Sequence, residues 1–279
     1  LNLEESTSNS TQVQIKLDKA RLGDKRFKKI LAFFKITPQK INLTKGKVWP
    51  SKGLILLAGN LKPKSGEYQI KFKGEKLQAE DLLSKHLMGP LQLSGSLAGF
   101  LPKDNDVPEL SDYSRDLSGD IKIKLTDGAI PKLGMLENFL TLLNPNTALN
   151  AQKEGLSYDY LGGNFKIVKG VVHTNNFEVK SPQINLTVTG KADLVKDTVL
   201  AQVKAMPLQM LDKTIKAIPL LGAILGGGKK GGVIETYFKM YGKLSQPEFT
   251  MEAHKTLTEK PGSILKGLLN LPKNLTEGK

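Results

Sequence analysis

Apolar and polar residues alternate over much of this 279-residue chain, a pattern that predicts β-strands with one buried face. In EYQIKFKG, the side chains of Tyr68, Ile70 and Phe72 share one face, and Lys71 and Lys73 lie on the other. DIKIKL, FEVK and QINLTVTG repeat the same period of two. The chain therefore predicts a mainly β protein whose strands each have an apolar side.

The alternating runs indicate about twelve strands, near residues 13–21, 39–48, 53–62, 67–77, 90–99, 117–129, 156–168, 171–179, 183–194, 198–206, 233–244 and 247–253. Turn-forming dipeptides punctuate them, and we expect these dipeptides to join neighbouring strands: Lys45-Gly46, Ser65-Gly66, Asp127-Gly128, Lys169-Gly170 and Asn175-Asn176. Short connections of this kind favour an antiparallel meander.

Helical patterns are few and short, near residues 131–143, 208–225 and 261–275. Twelve strands of about ten residues form a sheet of roughly 30 by 58 Å, or about 1,800 Å² per face. Three short helices cover only roughly 600 Å² of such a face. The apolar face must therefore curl onto itself, pack a second sheet or hold an apolar ligand.

The charge and the residue types narrow the possible partners. Forty-one Lys and Arg against 27 Asp and Glu give a net charge of +14, which favours phospholipid headgroups or nucleic acid. Aromatic residues are only 6% of the chain and form no stacking clusters, so we expect no nucleic-acid partner. The chain has no cysteine and three scattered histidines, so we predict no catalytic residues, no metal and no cofactor.

The chain begins with Leu1 rather than Met, and no run of about 18 apolar residues follows. We expect a fragment or processed form whose missing N-terminal segment carries a membrane anchor. Trp49, next to Pro50, has two open interpretations, edge packing or an interfacial anchor.

Four stretches carry a resemblance to a known family. They are LSGDIKIKLTDGAIPKLGMLENFLTLLN at 117–144, GLSYDYLGGNFKIVKGVVHTNNFEVKSPQINLTVTGKADL at 155–194, AMPLQML at 205–211 with IPLLGAILGG at 218–227, and YGKLSQPEFT at 241–250. In this order they resemble the AsmA-like C-terminal domain of the AsmA, TamB and YhdP group of bacterial envelope proteins. The resemblance implies a long, curled, taco-like β-groove with a few short capping helices. It also implies a periplasmic bridge, anchored in the inner membrane, that conducts phospholipid toward the outer membrane.

Under this interpretation the alternating apolar residues line a groove for acyl chains, whereas the alternative is the core of an ordinary sandwich or barrel. The expected groove residues are Tyr68, Ile70, Phe72, Ile121, Ile123, Leu125, Phe165, Ile167, Phe177, Val179, Ile184, Leu186, Val188, Phe238 and Met240. We expect residues 1–116 to form an N-terminal groove portion that continues an upstream sheet, and residues 117–256 to form the AsmA-like domain. Residues 257–279 are expected to form an amphipathic helix and a tail.

The terminal helix carries Ile264, Leu265, Leu268 and Leu269 on its apolar side. It is expected to bind a membrane or partner, to plug the groove, or to cap the sheet as plain core. The predicted function is non-enzymatic conduction of phospholipid between the inner and outer membranes. The alternative is an assembly module that binds an outer-membrane protein through a sheet edge and this helix.

Overall fold

In the part of the chain that the structure describes, thirteen strands pair in chain order, from first to last, to form one antiparallel sheet. The computed structural model describes residues 10–102, 110–131, 139–140, 155–207 and 235–252. The strands are β1 Thr11–Leu22, β2 Lys25–Ile36, β3 Ile41–Trp49, β4 Leu54–Leu61, β5 Glu67–Gln78, β6 Pro90–Phe100, β7 Ser118–Ile130, β8 Leu156–Val168, β9 Val171–Lys180, β10 Ile184–Asp193, β11 Thr198–Pro207, β12 Thr236–Lys243 and β13 Gln246–Met251. The helices named within the described residues are short: α1 Ala79–Leu82 and α2 Leu110–Ser114.

This topology confirms the predicted fold class, a mainly β protein built as an open antiparallel meander. Among the described strands, β1 pairs only with β2 and β13 pairs only with β12, so the sheet does not close into a barrel. The expected twelve strands are all present, and β2 is a thirteenth that the alternation did not reveal. Its sequence contains the continuous apolar run from Ile30 to Phe34, which hides the period of two.

Three of the expected turns lie inside strands. Ser65-Gly66 and Lys169-Gly170 do connect strands, but Lys45-Gly46, Asp127-Gly128 and Asn175-Asn176 lie within β3, β7 and β9. The pairing register shifts next to Gly46 and again across Asn175-Asn176, as it does at a β-bulge. Asp127 has a φ of 49°, which breaks the extended backbone locally. These dipeptides therefore bend strands instead of ending them.

The predicted helices fall largely outside the described residues. Of residues 131–143 the structure describes the first and positions 139 and 140, and these two are helical. The predicted helices at 208–225 and 261–275 lie outside the described residues, and so do Ile264, Leu265, Leu268 and Leu269. In the described part of the chain, no helix combines the length and apolarity needed to cross a bilayer.

Hydrogen bonds join the segment between α1 and β6 to the last residues of β7 and the first residues of β8. Met88 and Ala129 exchange two backbone hydrogen bonds of 2.9 and 3.0 Å, and the Tyr158 hydroxyl donates a 2.6 Å bond to the Met88 carbonyl. Burial raises the pKa of Tyr158 to about 12, and the negative charge of Glu80 adds to the effect. The neutral phenol is therefore part of the folded structure.

Replacing Tyr158 by Phe is expected to destabilise the fold by about 1 kcal/mol near pH 8, because the Met88 carbonyl loses one of its two donors and keeps only the Ala129 N–H. A raised folded pKa gives stability that is complete below the unfolded pKa of about 10 and is lost as pH rises through about 12. The difference between wild type and Tyr158→Phe should therefore shrink between these values in urea titrations. Parallel curves across that window would contradict the assignment.

Candidate functional site

The register of the sheet lines up apolar side chains in rows that run across the strands. Residues directly opposite each other on paired strands point to the same face, so the pairings trace each row from strand to strand. One row crosses all thirteen strands without interruption: Val13, Phe34, Leu43, Gly59, Ile70, Leu97, Gly119, Ile167, Val172, Ala192, Val199, Gly242 and Pro247. No residue of this row is polar.

Two further rows flank the first on the same face, and each is interrupted only by the bulge in β9. One comprises Ile15, Ala32, Gly46, Leu57, Phe72, Gly95, Ile121 and Phe165, then Thr174, Gly190, Ala201, Met240 and Phe249. The other comprises Leu17, Ile30, Val48, Ile55, Gly74, Leu93, Ile123 and Gly163, then Phe177, Val188, Val203, Phe238 and Met251. These three rows, here named the apolar floor, contain one polar residue, Thr174, and no charge.

All fifteen expected groove residues lie on the face of the apolar floor. Ten of them belong to the three rows: Ile70, Phe72, Ile121, Ile123, Phe165, Ile167, Phe177, Val188, Phe238 and Met240. The other five lie beside the rows on the same face: Tyr68, Leu125, Val179, Ile184 and Leu186. Their binding of acyl chains stays a prediction.

Sequence reasoning missed two parts of this surface. The expected residues began at Tyr68, whereas the floor begins at β1 and includes side chains such as Phe34 and Leu57. It also missed Phe139, which packs on the floor from the connection between β7 and β8. Alternation in β1 was a usable signal for Val13, Ile15 and Leu17, whereas the apolar runs of β2 and β4 do not indicate the face on which Phe34 and Leu57 lie. Phe139 contacts Phe238, about a hundred positions away, and the local sequence pattern does not predict such a contact.

The exposure of the floor differs between its first strand and the strands near its C-terminal end. Floor residues are buried on β11, at Val199, Ala201 and Val203, and also at Ile167 and Phe238, whereas those of β6 and β7 are half-buried. At the β1 end, Ile15 is 42% exposed and Leu17 is 48% exposed. From β2 to β5 most floor residues are half-buried, as they are on β6 and β7. The apolar floor is therefore most exposed at the β1 edge.

A cavity of about 470 Å³ lies on the C-terminal part of the floor. Its walls come from β8 to β13, including Phe165 and Phe249, from Ile130 at the end of β7, and from Phe139. The Phe139 ring lies 5.1 Å from the Phe238 ring and 4.8 Å from the Phe249 ring. In a flat sheet, β8 and β13 would be roughly 24 Å apart, so strands that share this cavity must curl around it. Its volume falls within the roughly 300–1,000 Å³ of small-molecule sites.

Polar chemistry is sparse on this face. Thr236, at the start of β12, is fully buried, and its hydroxyl has no hydrogen-bond partner among the described residues. Within the same residues, no three His, Asp or Glu side chains are grouped so that they hold a metal ion. The described part of the floor can therefore bind apolar groups through burial, and hydroxyls such as those of Thr174 and Thr236 are the few hydrogen-bonding groups on this face.

An open antiparallel sheet with one continuous apolar face and a charged opposite face defines a β-groove protein. A sequence model described as YhdP protein matches residues 2–249, and the chain belongs to the YhdP family, within the AsmA, TamB and YhdP group. This envelope-associated family indicates a module of bridge-like lipid transport. Neither the search of curated proteins nor the search of solved structures gave a match at the threshold applied.

Replacing Thr236 by Val should raise the free energy of unfolding by about 1–2 kcal/mol. The substitution removes a buried hydroxyl without a described partner and keeps a β-branched side chain in a strand. Thr187→Val on the opposite face of β10 is the matched control, with an expected change within about 0.5 kcal/mol. Denaturant unfolding measures both, and a destabilised Thr236→Val would show that the hydroxyl has a partner.

Proposed function

We propose that the apolar floor binds the acyl chains of phospholipids and lets them move from strand to strand between two membranes. The observation that carries this proposal is the set of three rows, which reach both edges of the sheet without a charged side chain. Thirteen strands give the rows a length of roughly 58 Å, and each buried methylene contributes roughly 0.8 kcal/mol. The length and apolarity suit chains that lie along the rows.

The headgroup of such a lipid stays in water, because nothing on the floor compensates a buried charge. The acyl chains alone then contact the protein, so the binding does not select one headgroup. We propose a non-enzymatic role in the periplasm, between the inner and outer membranes. The family to which the chain belongs supports this location. The proposed division into residues 1–116, 117–256 and 257–279 is retained as a prediction.

A charge placed on the floor is expected to block lipid. Ile70 is half-buried in the uninterrupted row, while its neighbour Gln69 is exposed on the opposite face of β5. Ile70→Glu should lower the fraction of protein with bound phospholipid at least about tenfold, or about 1.4 kcal/mol, because a carboxylate in the acyl path loses its water. Gln69→Glu, with the same new charge, should leave it unchanged. Native mass spectrometry of the purified proteins gives both fractions.

Thermal unfolding of both variants checks that the sheet is intact. Either of two results would contradict the proposal. One is that purified wild-type protein carries no phospholipid, and the other is that Ile70→Glu and Gln69→Glu carry equal fractions of phospholipid. A third variant, Ile15→Glu, tests the floor at a side chain that is already 42% exposed. This substitution should therefore disturb folding less than Ile70→Glu does. It should also lower loading.

The unpaired edge of β1 favours a second candidate function, assembly with an outer-membrane protein. In the described sheet β1 pairs only with β2, so its other edge presents backbone groups to a partner strand. If this function holds, Leu265→Asp with Leu268→Asp abolishes capture of the partner and leaves lipid loading unchanged. Affinity capture from envelope extracts followed by mass spectrometry tests it. Unchanged capture would remove the terminal helix from the interface.

A further inference from the structure

The outer face of the N-terminal strands carries a row in which lysine and leucine alternate. Paired positions across β1 to β5 read Lys16, Leu31, Lys47, Leu56 and Lys73. This row lies on the face opposite the apolar floor, where solvent meets the sheet. Leu56 is 43% exposed. The row therefore combines cations with accessible apolar surface.

Two cross-strand pairs extend this row on either side. Phe33 lies opposite Lys45, and Lys29 lies opposite Trp49, with the Lys29 Nζ 5.5 Å from the centre of the indole ring. Both pairs are two residues from the row along β2. Together with the row they form a surface of roughly 13 by 19 Å, here named the basic outer patch.

The charge of the basic outer patch is mostly uncompensated. Lys16 and Lys73 have carboxylate neighbours, Asp18 at 3.7 Å and Glu75 at 2.6 Å. No described carboxylate lies within 4 Å of Lys29, Lys45 or Lys47. A surface with this imbalance attracts an anionic partner.

The remainder of the outer face has a different composition. On β6 to β10 the outward positions in line with the patch are polar or basic and carry no leucine, and Ser94, Lys122, Asn164 and Thr187 are among them. Leu200 on β11 is 48% exposed and lies opposite Lys191 and Tyr241, but it is a single leucine between its two neighbouring strands. The patch therefore differs in that lysine and leucine alternate over five successive strands, β1 to β5.

We propose that the basic outer patch binds the surface of an anionic lipid bilayer. The lysines contact headgroup phosphates, while Leu56, Phe33 and Trp49 enter the interfacial layer, as Trp and basic residues do at membrane surfaces. Single-stranded nucleic acid requires a track of stacking rings, and the patch has two aromatic residues that lie on separate flanks. The apolar floor faces away from this bilayer, so the attachment is independent of lipid carried in the groove.

Trp49 is the only tryptophan of the chain, so its fluorescence reports on the patch alone. Vesicles of phosphatidylcholine mixed with phosphatidylglycerol should bind the full chain and shift Trp49 emission to the blue. Vesicles of phosphatidylcholine alone should bind weakly. Brominated acyl chains in the anionic vesicles should quench Trp49, and added salt should weaken the binding.

Charge reversal separates the patch from the overall charge. Lys45→Glu with Lys47→Glu should weaken binding to anionic vesicles at least about 25-fold, since each lysine near an anionic surface contributes roughly fivefold. Lys122→Glu with Lys124→Glu is the matched control on the same face of β7 and gives the same net charge. It should change binding by no more than about twofold, because those lysines lie two strands beyond the edge of the patch and four strands from Lys47.

A second pair of variants tests the apolar part without changing charge. Leu56→Ser should reduce the quenching of Trp49 by brominated lipid, and Leu200→Ser, equally exposed on β11, should not. The proposal is overturned if anionic vesicles do not bind, if Trp49 is not quenched, or if both charge reversals weaken binding alike. Tighter binding to single-stranded DNA than to anionic vesicles would also overturn it. Groove loading, measured by native mass spectrometry, should be the same in all these variants.

Discussion

The cross-strand register is the constraint on which the remaining structure depends. Side chains alternate between the faces of a strand, so a slip of one residue exchanges the two faces. A slip in β5 would bring Lys71 onto the floor in place of Ile70, and a slip in β7 would bring Lys122 there. The continuous row from β1 to β13 therefore requires every pairing in the sheet to be correct. The contrast between the apolar face and the charged face of the sheet favours the correct register of each strand pair.

Bulges keep the rows aligned where the alternation of the sequence changes phase. In β9 the floor residues are Val172 and Thr174 before the bulge, and Phe177 and Val179 after it. In β3 the phase changes in the same way between Leu43 and Gly46. An extra residue in one strand shifts the following side chains by one position, which returns the apolar residues to the floor. Bulges also add local twist, so the irregularities that preserve the floor contribute to the curl of the sheet.

Local pattern was sufficient for the antiparallel meander and for the face on which each expected groove residue lies, because a period of two needs only neighbouring residues. It did not separate turns from bulges, since Asn175-Asn176 has the same residue preferences in both. The strand β2 was missed because its apolar run contains no alternation. The contact of Phe139 with Phe238 and Phe249 depends on the tertiary path of the chain, about which neighbouring residues carry no information.

The even height of the apolar floor bears on the proposed movement of acyl chains across the strands. Each strand from β3 to β8 places one glycine in the three rows: Gly46, Gly59, Gly74, Gly95, Gly119 and Gly163. The ring of Phe72 lies over Gly95, where a Cβ atom would be 2.8 Å from the ring. Large side chains thus lie over the gaps left by glycines and keep the surface low. Under the proposed function, an acyl chain that advances by one strand would lose and regain similar contacts, roughly 0.8 kcal/mol per methylene each way, so no position would hold it more tightly than the next. Retention of the lipid would then depend on the buried length of its acyl chains, and its passage would depend on the absence of charged side chains along the rows.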